Sequence, residues 1–134
     1  MDKKKRAKIV YDFLKSEGYR PEIDRDGDVV YKQEGRTYVI ILEERDPEFF
    51  RIVFPNFWPI ESQEERLKVS IAANEATAMT KAAKVFPIRD NVWASLGSFV
   101  DPFESFKKVF KRSMGALNQC VFNFQKKMQE LNAA

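Results

Sequence analysis

Residues Phe49 to Glu65 read FFRIVFPNFWPIESQEE. Phe49 to Phe54 is a strand signal, and Pro55 stops it because proline brings no N–H to a ladder. Ser62-Gln63-Glu64-Glu65 is a capping box: the Ser62 hydroxyl accepts from the Glu65 amide while the Glu65 carboxylate reaches back. A strand therefore gives way to a helix across seven residues, FPNFWPI, with Pro59 stiffening the approach and Ile60 near the position of a hydrophobic staple. Turns are usually small and polar, yet this one carries Phe57 and Trp58. Two readings stay open for them. They plug the end of a sheet–helix core, or they present an aromatic anchor of the kind enriched at binding hot spots.

Upstream, Ile9, Val10, Phe13 and Leu14 form an apolar stripe that predicts a helix over Lys3 to Glu17, ended by Gly18 and barred from continuing by Pro21. The period then changes to two. Val29 to Gln33 and Thr37 to Leu42 flank Glu34-Gly35, a hairpin signal, and Glu22 to Asp24 is a candidate short extra strand before the turn Arg25-Asp26-Gly27. Downstream of the capping box a helix runs to about Lys81. Leu67, Ile71, Asn74 or Glu75, Ala78 and Ala82 are the expected inner stripe, and its many alanines keep it slender. Val85 to Arg89 and Val92 to Val100 read as strands joined by Asp90-Asn91, with Pro87 marking an edge strand or a bulge. In Asp101-Pro102-Phe103-Glu104 an N-cap, a proline at N1 and an acid at N3 open a last helix reaching about Leu131. The expectation is an α+β domain over residues 1–134, an antiparallel sheet of about five strands with three helices, in the order α-β-β-β-α-β-β-α.

The last helix has apolar residues at 110, 114, 117, 121, 124, 128 and 131, alternating steps of four and three. That is a heptad seam. Its proximal part explains itself as core. Its distal part, Val121, Phe124, Met128 and Leu131, is the expected homodimer interface, on a helix of roughly 30 residues that should overhang its sheet or kink at Gly115.

The 134-residue chain carries 44% hydrophobic and 32% charged residues, no histidine and one cysteine, Cys120. Lack of histidine removes the commonest general base, the histidine-dependent nucleophile triads and most transition-metal sites. No apolar run approaches the ~18 residues of a membrane span, and MDKKKRAK is not followed by the apolar region of a secretory signal. A cytoplasmic protein without a disulfide, a cofactor or a membrane association is expected. Net charge is +3. Its clusters, Lys3 to Lys8 and Lys107, Lys108, Lys111 and Arg112, lack the interleaved aromatics of nucleic-acid surfaces and read as solvated helix faces.

Asp24-Arg25-Asp26-Gly27-Asp28 resembles a calcium loop only in passing, since the glycine is misplaced and no acid closes it. Glu43, Glu44, Asp46 and Glu48 make an acidic loop, the one place where carboxylates could serve a small ligand or a reaction. Cys120 reads as a small buried residue. On the last strand Trp93 and Phe99 share a face with Ser95 and Gly97 between them, small residues that let a helix of this chain or a partner approach.

Three stretches, FLKSEGYRPEIDRDGDVVYKQEGRTYVI (13–40), DPEFFRIVFPNFWPI (46–60) and AAKVFPIRDNVWASLGSFVDP (82–102), resemble the YbjN-like family, bacterial proteins often labelled sensory transduction regulators. The resemblance implies a fold similar to class I type III secretion chaperones, small α+β proteins that commonly form homodimers and wrap partly unfolded segments of other proteins. It implies no catalytic residues. The functional expectation is a non-catalytic protein-binding module, homodimeric, with Phe57, Trp58, Trp93 and Phe99 as candidate partner-binding residues. The alternative is a small-ligand sensor or enzyme built on the Glu43–Glu48 carboxylates.

Overall fold

The structure is a computed structural model that describes all residues from Met1 to Ala134. Helix α1 spans Lys3–Ser16, strands β1 to β4 span Glu22–Ile23, Val29–Gln33, Arg36–Ile41 and Phe49–Phe54, and α2 spans Gln63–Met79. Strands β5, Ala83–Ile88, and β6, Asn91–Phe99, precede a 3-10 turn at Phe103–Ser105 that leads into α3, Phe106–Ala133. The strands form one sheet in the order β1-β2-β3-β4-β6-β5, and every pairing described below is antiparallel. The short extra strand therefore exists, and the sheet has six strands rather than five.

The chain divides into two compact units. Unit 1 comprises residues 1–54 and 97–111, and unit 2 comprises residues 55–96 and 112–134.

In unit 1, α1 is capped by Asp2, whose side chain accepts from the Lys5 amide. It ends in a Schellman motif: Tyr19 N donates to Leu14 O and Gly18 N to Lys15 O. Gly18 sits at φ +96°, where a side chain would be strained. The β2–β3 hairpin turns through Glu34 and Gly35, both at positive φ, with Gln33 opposite Arg36. Its register sets Val29 against Ile40 and Tyr31 against Tyr38, and that face is fully buried. The core is aromatic. Phe106 stacks on Phe50 at 4.8 Å and receives Phe13 edge-on at 5.3 Å. Tyr31 stacks on Tyr38 at 5.6 Å and lies 6.0 Å from Phe110. Burial, reinforced by the neighbouring Tyr19 and Tyr38 hydroxyls, pushes the Tyr31 phenol well above its ordinary pKa.

In unit 2, Ser62 caps α2 by accepting from Glu65 N at 3.0 Å. The Glu65 carboxylate reaches back to the Glu61 amide, at 2.7 Å, and Ile60 is buried. The inner stripe of α2 is not the expected one. Val69, Ala72, Ala73 and Ala76 are buried, whereas Leu67 and Ile71 are 65% and 44% exposed. The reason is steric: α2 lies close to α3, with the Cys120 thiol 3.9 Å from Ala76 O and Asn123 bonded to Thr80, and only small residues fit there. The β5–β6 register pairs Ile88 with Asn91, so the turn is Arg89-Asp90 rather than Asp90-Asn91, and Arg89 takes the positive φ. Pro87 lies on β5, which ends the strand order, as an edge strand requires.

The start of α3 also departs from the sequence reading. Pro102 occupies the cap position of the 3-10 turn without a side-chain acceptor, and Ser105 bonds back to Pro102 O, so Asp101 does not cap. The helix then runs unbroken through Gly115.

Candidate functional site

Alternation along the strands of unit 1 gives each residue a side. Val29, Tyr31, Tyr38, Ile40, Phe50 and Ile52 point to the buried side, at 0–1% exposure. Their neighbours Val30, Val39, Ile41, Phe49 and Arg51 point the other way and are half-exposed. Val30 stands opposite Val39, Val39 opposite Val53, and Ile41 opposite Arg51, so these positions share one face. Phe49 lies 5.6 Å from Phe99, which is 81% exposed. A Cβ on Gly97 would come within 2.5 Å of Phe49 Cζ, so glycine is what leaves room for this ring. The Arg51 guanidinium sits 5.9 Å from the Phe49 centroid and 3.6 Å from Glu43 Oε1. The result is a low-relief apolar face, aromatic at one end and bordered by a cation.

The four candidate partner-binding residues fall into different settings. Phe57 and Trp58 are packing residues of unit 2: both meet the buried Phe124 edge-on at 5.6 Å. Trp58 Nε1 donates to Glu65, and its backbone N–H donates to the Asn91 side chain. Phe57 N donates to Val92 O and Ile60 N to Asp90 O, which pins the link along β6. Trp93, half-buried, is tied by its Nε1 to Asn56 Oδ1 at 2.9 Å. Phe99 alone is widely exposed.

Burial corrects the expected dimer interface at three of its four residues. Val121, Phe124 and Met128 are each 0% exposed within the chain, and Leu131 is half-buried. The distal heptad seam is core, because that end of α3 runs antiparallel along α2, with Lys127 paired to Glu75 and Lys68 bonded to Asn132. Val121, Phe124 and Met128 are thereby closed to a second copy, whereas Leu131 keeps part of its surface.

The acidic loop does not converge. Glu43, Glu44 and Glu48 are exposed, Asp46 Oδ1 accepts from Glu48 N, and Glu43 faces Arg51. Asp24 Oδ1 accepts from the amides of Asp26 and Asp28, a turn bond rather than a ligand set. Asp28 in turn accepts from Leu42 N and pairs with Lys3 at 3.2 Å. Burial raises the Cys120 thiol pKa, against a lowering hydrogen bond with Thr80, so the thiol is held protonated. A hollow of about 520 Å³ in unit 1, lined by Tyr19, Arg20, Val30, Tyr31 and Lys32, contains none of the site residues expected from sequence.

Arg6 was missed altogether. It belongs to a lysine-rich run that reads as solvated, yet it is 0% exposed. Its guanidinium donates to Glu43 O at 2.8 Å and Met1 O at 3.3 Å and lies 5.8 Å from the Phe103 centroid. Only its place on the inner side of α1, beside Ala7 and Val10, carries a signal for this.

No helix is long and apolar enough to cross a membrane. No family model and no curated protein matches the sequence. Among solved structures, YbjN from E. coli, a proposed transcription regulator, superposes with a TM-score of 0.57 at 12% identity over 94% of this chain and 90% of that one. At that identity the likeness speaks of fold, and it spans nearly the whole of both chains: this α+β protein has the YbjN fold.

Proposed function

We propose that the protein is a non-catalytic protein-binding module, chaperone-like or regulatory, that works as a homodimer and holds an extended apolar segment of a partner protein. The observation that carries this is Phe99, 81% exposed beside Phe49 on the solvent side of the sheet, with Val30, Val39 and Ile41 on the same face. An aromatic so exposed gains on the order of 2 kcal/mol when covered by apolar chain. Gly97, which carries no side chain beside the Phe49 ring, leaves backbone at that point open to close approach by an extended segment.

Binding of a reduced, carboxymethylated model protein, measured by fluorescence anisotropy, tests the reading. Phe99→Ser should weaken it roughly thirtyfold, the factor that ~2 kcal/mol represents, with the far-UV spectrum unchanged. Unaltered binding by this variant would sink the assignment. Phe57→Ala/Trp58→Ala should instead lose stability, because those rings pack on Phe124.

A further inference from the structure

Strand β1 is too short to cover β2. Only Glu22 and Ile23 pair with it, opposite Val30 and Val29. Gln33 and Arg36 close the β2–β3 turn as a bonded pair. Bonding alternates along a strand, so Lys32 turns its N–H and C=O away from β3, and neither meets a backbone partner. The hollow of about 520 Å³ lies at this edge, with Arg20, Glu22, Val30 and Lys32 in its wall. Carried past its last pair, the β1–β2 register sets Arg20 against Lys32. Both are exposed, and neither side chain has an ion-pair or hydrogen-bond partner in the chain. Like charges placed opposite one another destabilise a sheet. The Glu22 carboxylate in the same wall balances only one of the two cations, so the hollow keeps a positive excess.

We infer that this hollow is the acidic-residue subsite of the binding face: it takes an aspartate or glutamate side chain of the partner segment whose apolar residues cover Phe49 and Phe99. The carboxylate bridges the Arg20 guanidinium and the Lys32 ammonium, and the free Lys32 N–H is a third donor. Hydrogen bonds between charged groups are the stronger kind. The hollow is continuous with the apolar face, because Val30 stands opposite Val39 and Val39 opposite Val53, all within unit 1. From Phe99 to Lys32 the sheet is crossed by three strand spacings and three two-residue steps, a diagonal of about 25 Å, which is roughly seven or eight residues of extended chain. The partner is therefore narrowed from an apolar segment to one that carries an acidic residue about that far from its apolar anchor. The inference rests on the proposed function for the segment itself. The apolar end is read at Phe99 and the acidic end at Arg20 and Lys32, so the two are separable.

The test is fluorescence anisotropy on the full chain with two labelled peptides, both termini blocked, each about ten residues long to span that diagonal. Both carry phenylalanine and valines at one end; the other end is glutamate in the first peptide and lysine in the second. At low salt the wild type should bind the glutamate peptide roughly fivefold more tightly, the upper range for an exposed ion pair, and added salt should shrink the preference. Arg20→Glu/Lys32→Glu, at exposed sites and with an unchanged far-UV spectrum, should reverse the preference. Glu22→Gln should tighten the glutamate peptide. Phe99→Ser should weaken both peptides alike. Equal affinity of the wild type for the two peptides, or a preference that survives Arg20→Glu/Lys32→Glu, overturns the inference and leaves the apolar site standing. Binding of neither peptide overturns both readings.

Discussion

The two units are built from different materials. Unit 1 is held by rings: Phe106 is enclosed by Phe50, Phe13 and Phe103, and Tyr31 by Tyr38, Tyr19 and Phe110. Unit 2 is held by closeness: Ala72, Ala73 and Ala76 let α2 approach α3, and three of its aromatics, Phe57, Trp58 and Phe124, meet edge-on. An aromatic core concentrates its stabilisation in a few large side chains. An alanine interface spreads it over backbone proximity and tolerates no added volume. The first should be sensitive to deletion and the second to insertion.

The largest effect should come from Phe106→Ala. It removes a fully buried ring from the centre of unit 1 and should cost about 3–5 kcal/mol in urea unfolding. A loss under about 1 kcal/mol would mean that the ring lattice is not what holds unit 1. Next comes Ala76→Leu in unit 2. Overpacking beside Cys120 should cost about 1–3 kcal/mol, and alkylation of Cys120 at neutral pH, slow in the wild type, should accelerate. If Cys120 reacts fast before any change, the close α2–α3 approach is wrong. The smallest is Glu65→Ala, which frees the Glu61 amide and Trp58 Nε1 and should cost about 1 kcal/mol, as loss of a helix cap does. That change should leave Phe99-dependent binding intact.

Local signals in the chain were enough for the element order. The Ser62 box, the Glu34-Gly35 turn and Pro55 act within a few residues, so neighbours in sequence suffice to read them. Where the reading of which faces are buried failed, the cause was distant. Leu67 and Ile71 look like core because they are the largest apolar residues on α2, but the inner side was chosen by how near α3 comes. The seam at Val121, Phe124 and Met128 has heptad spacing, and spacing cannot say whether the matching helix belongs to the same chain. Arg6 looks like its lysine neighbours until two backbone carbonyls, Met1 and Glu43, converge on it. Sequence leaves Phe57 and Trp58 open between plug and anchor, and only the tertiary structure shows that both rings meet Phe124 edge-on while staying half-buried.

By itself, then, the sequence determined the α+β order, the Ser62 cap and the Glu34-Gly35 turn. Periodicity and backbone stereochemistry are local properties. Tertiary structure alone decided which apolar rows close on one another and which face outwards, because that depends on the distances between elements far apart in the chain. Phe99 and the Leu67–Ile71 row are left at the surface by that choice.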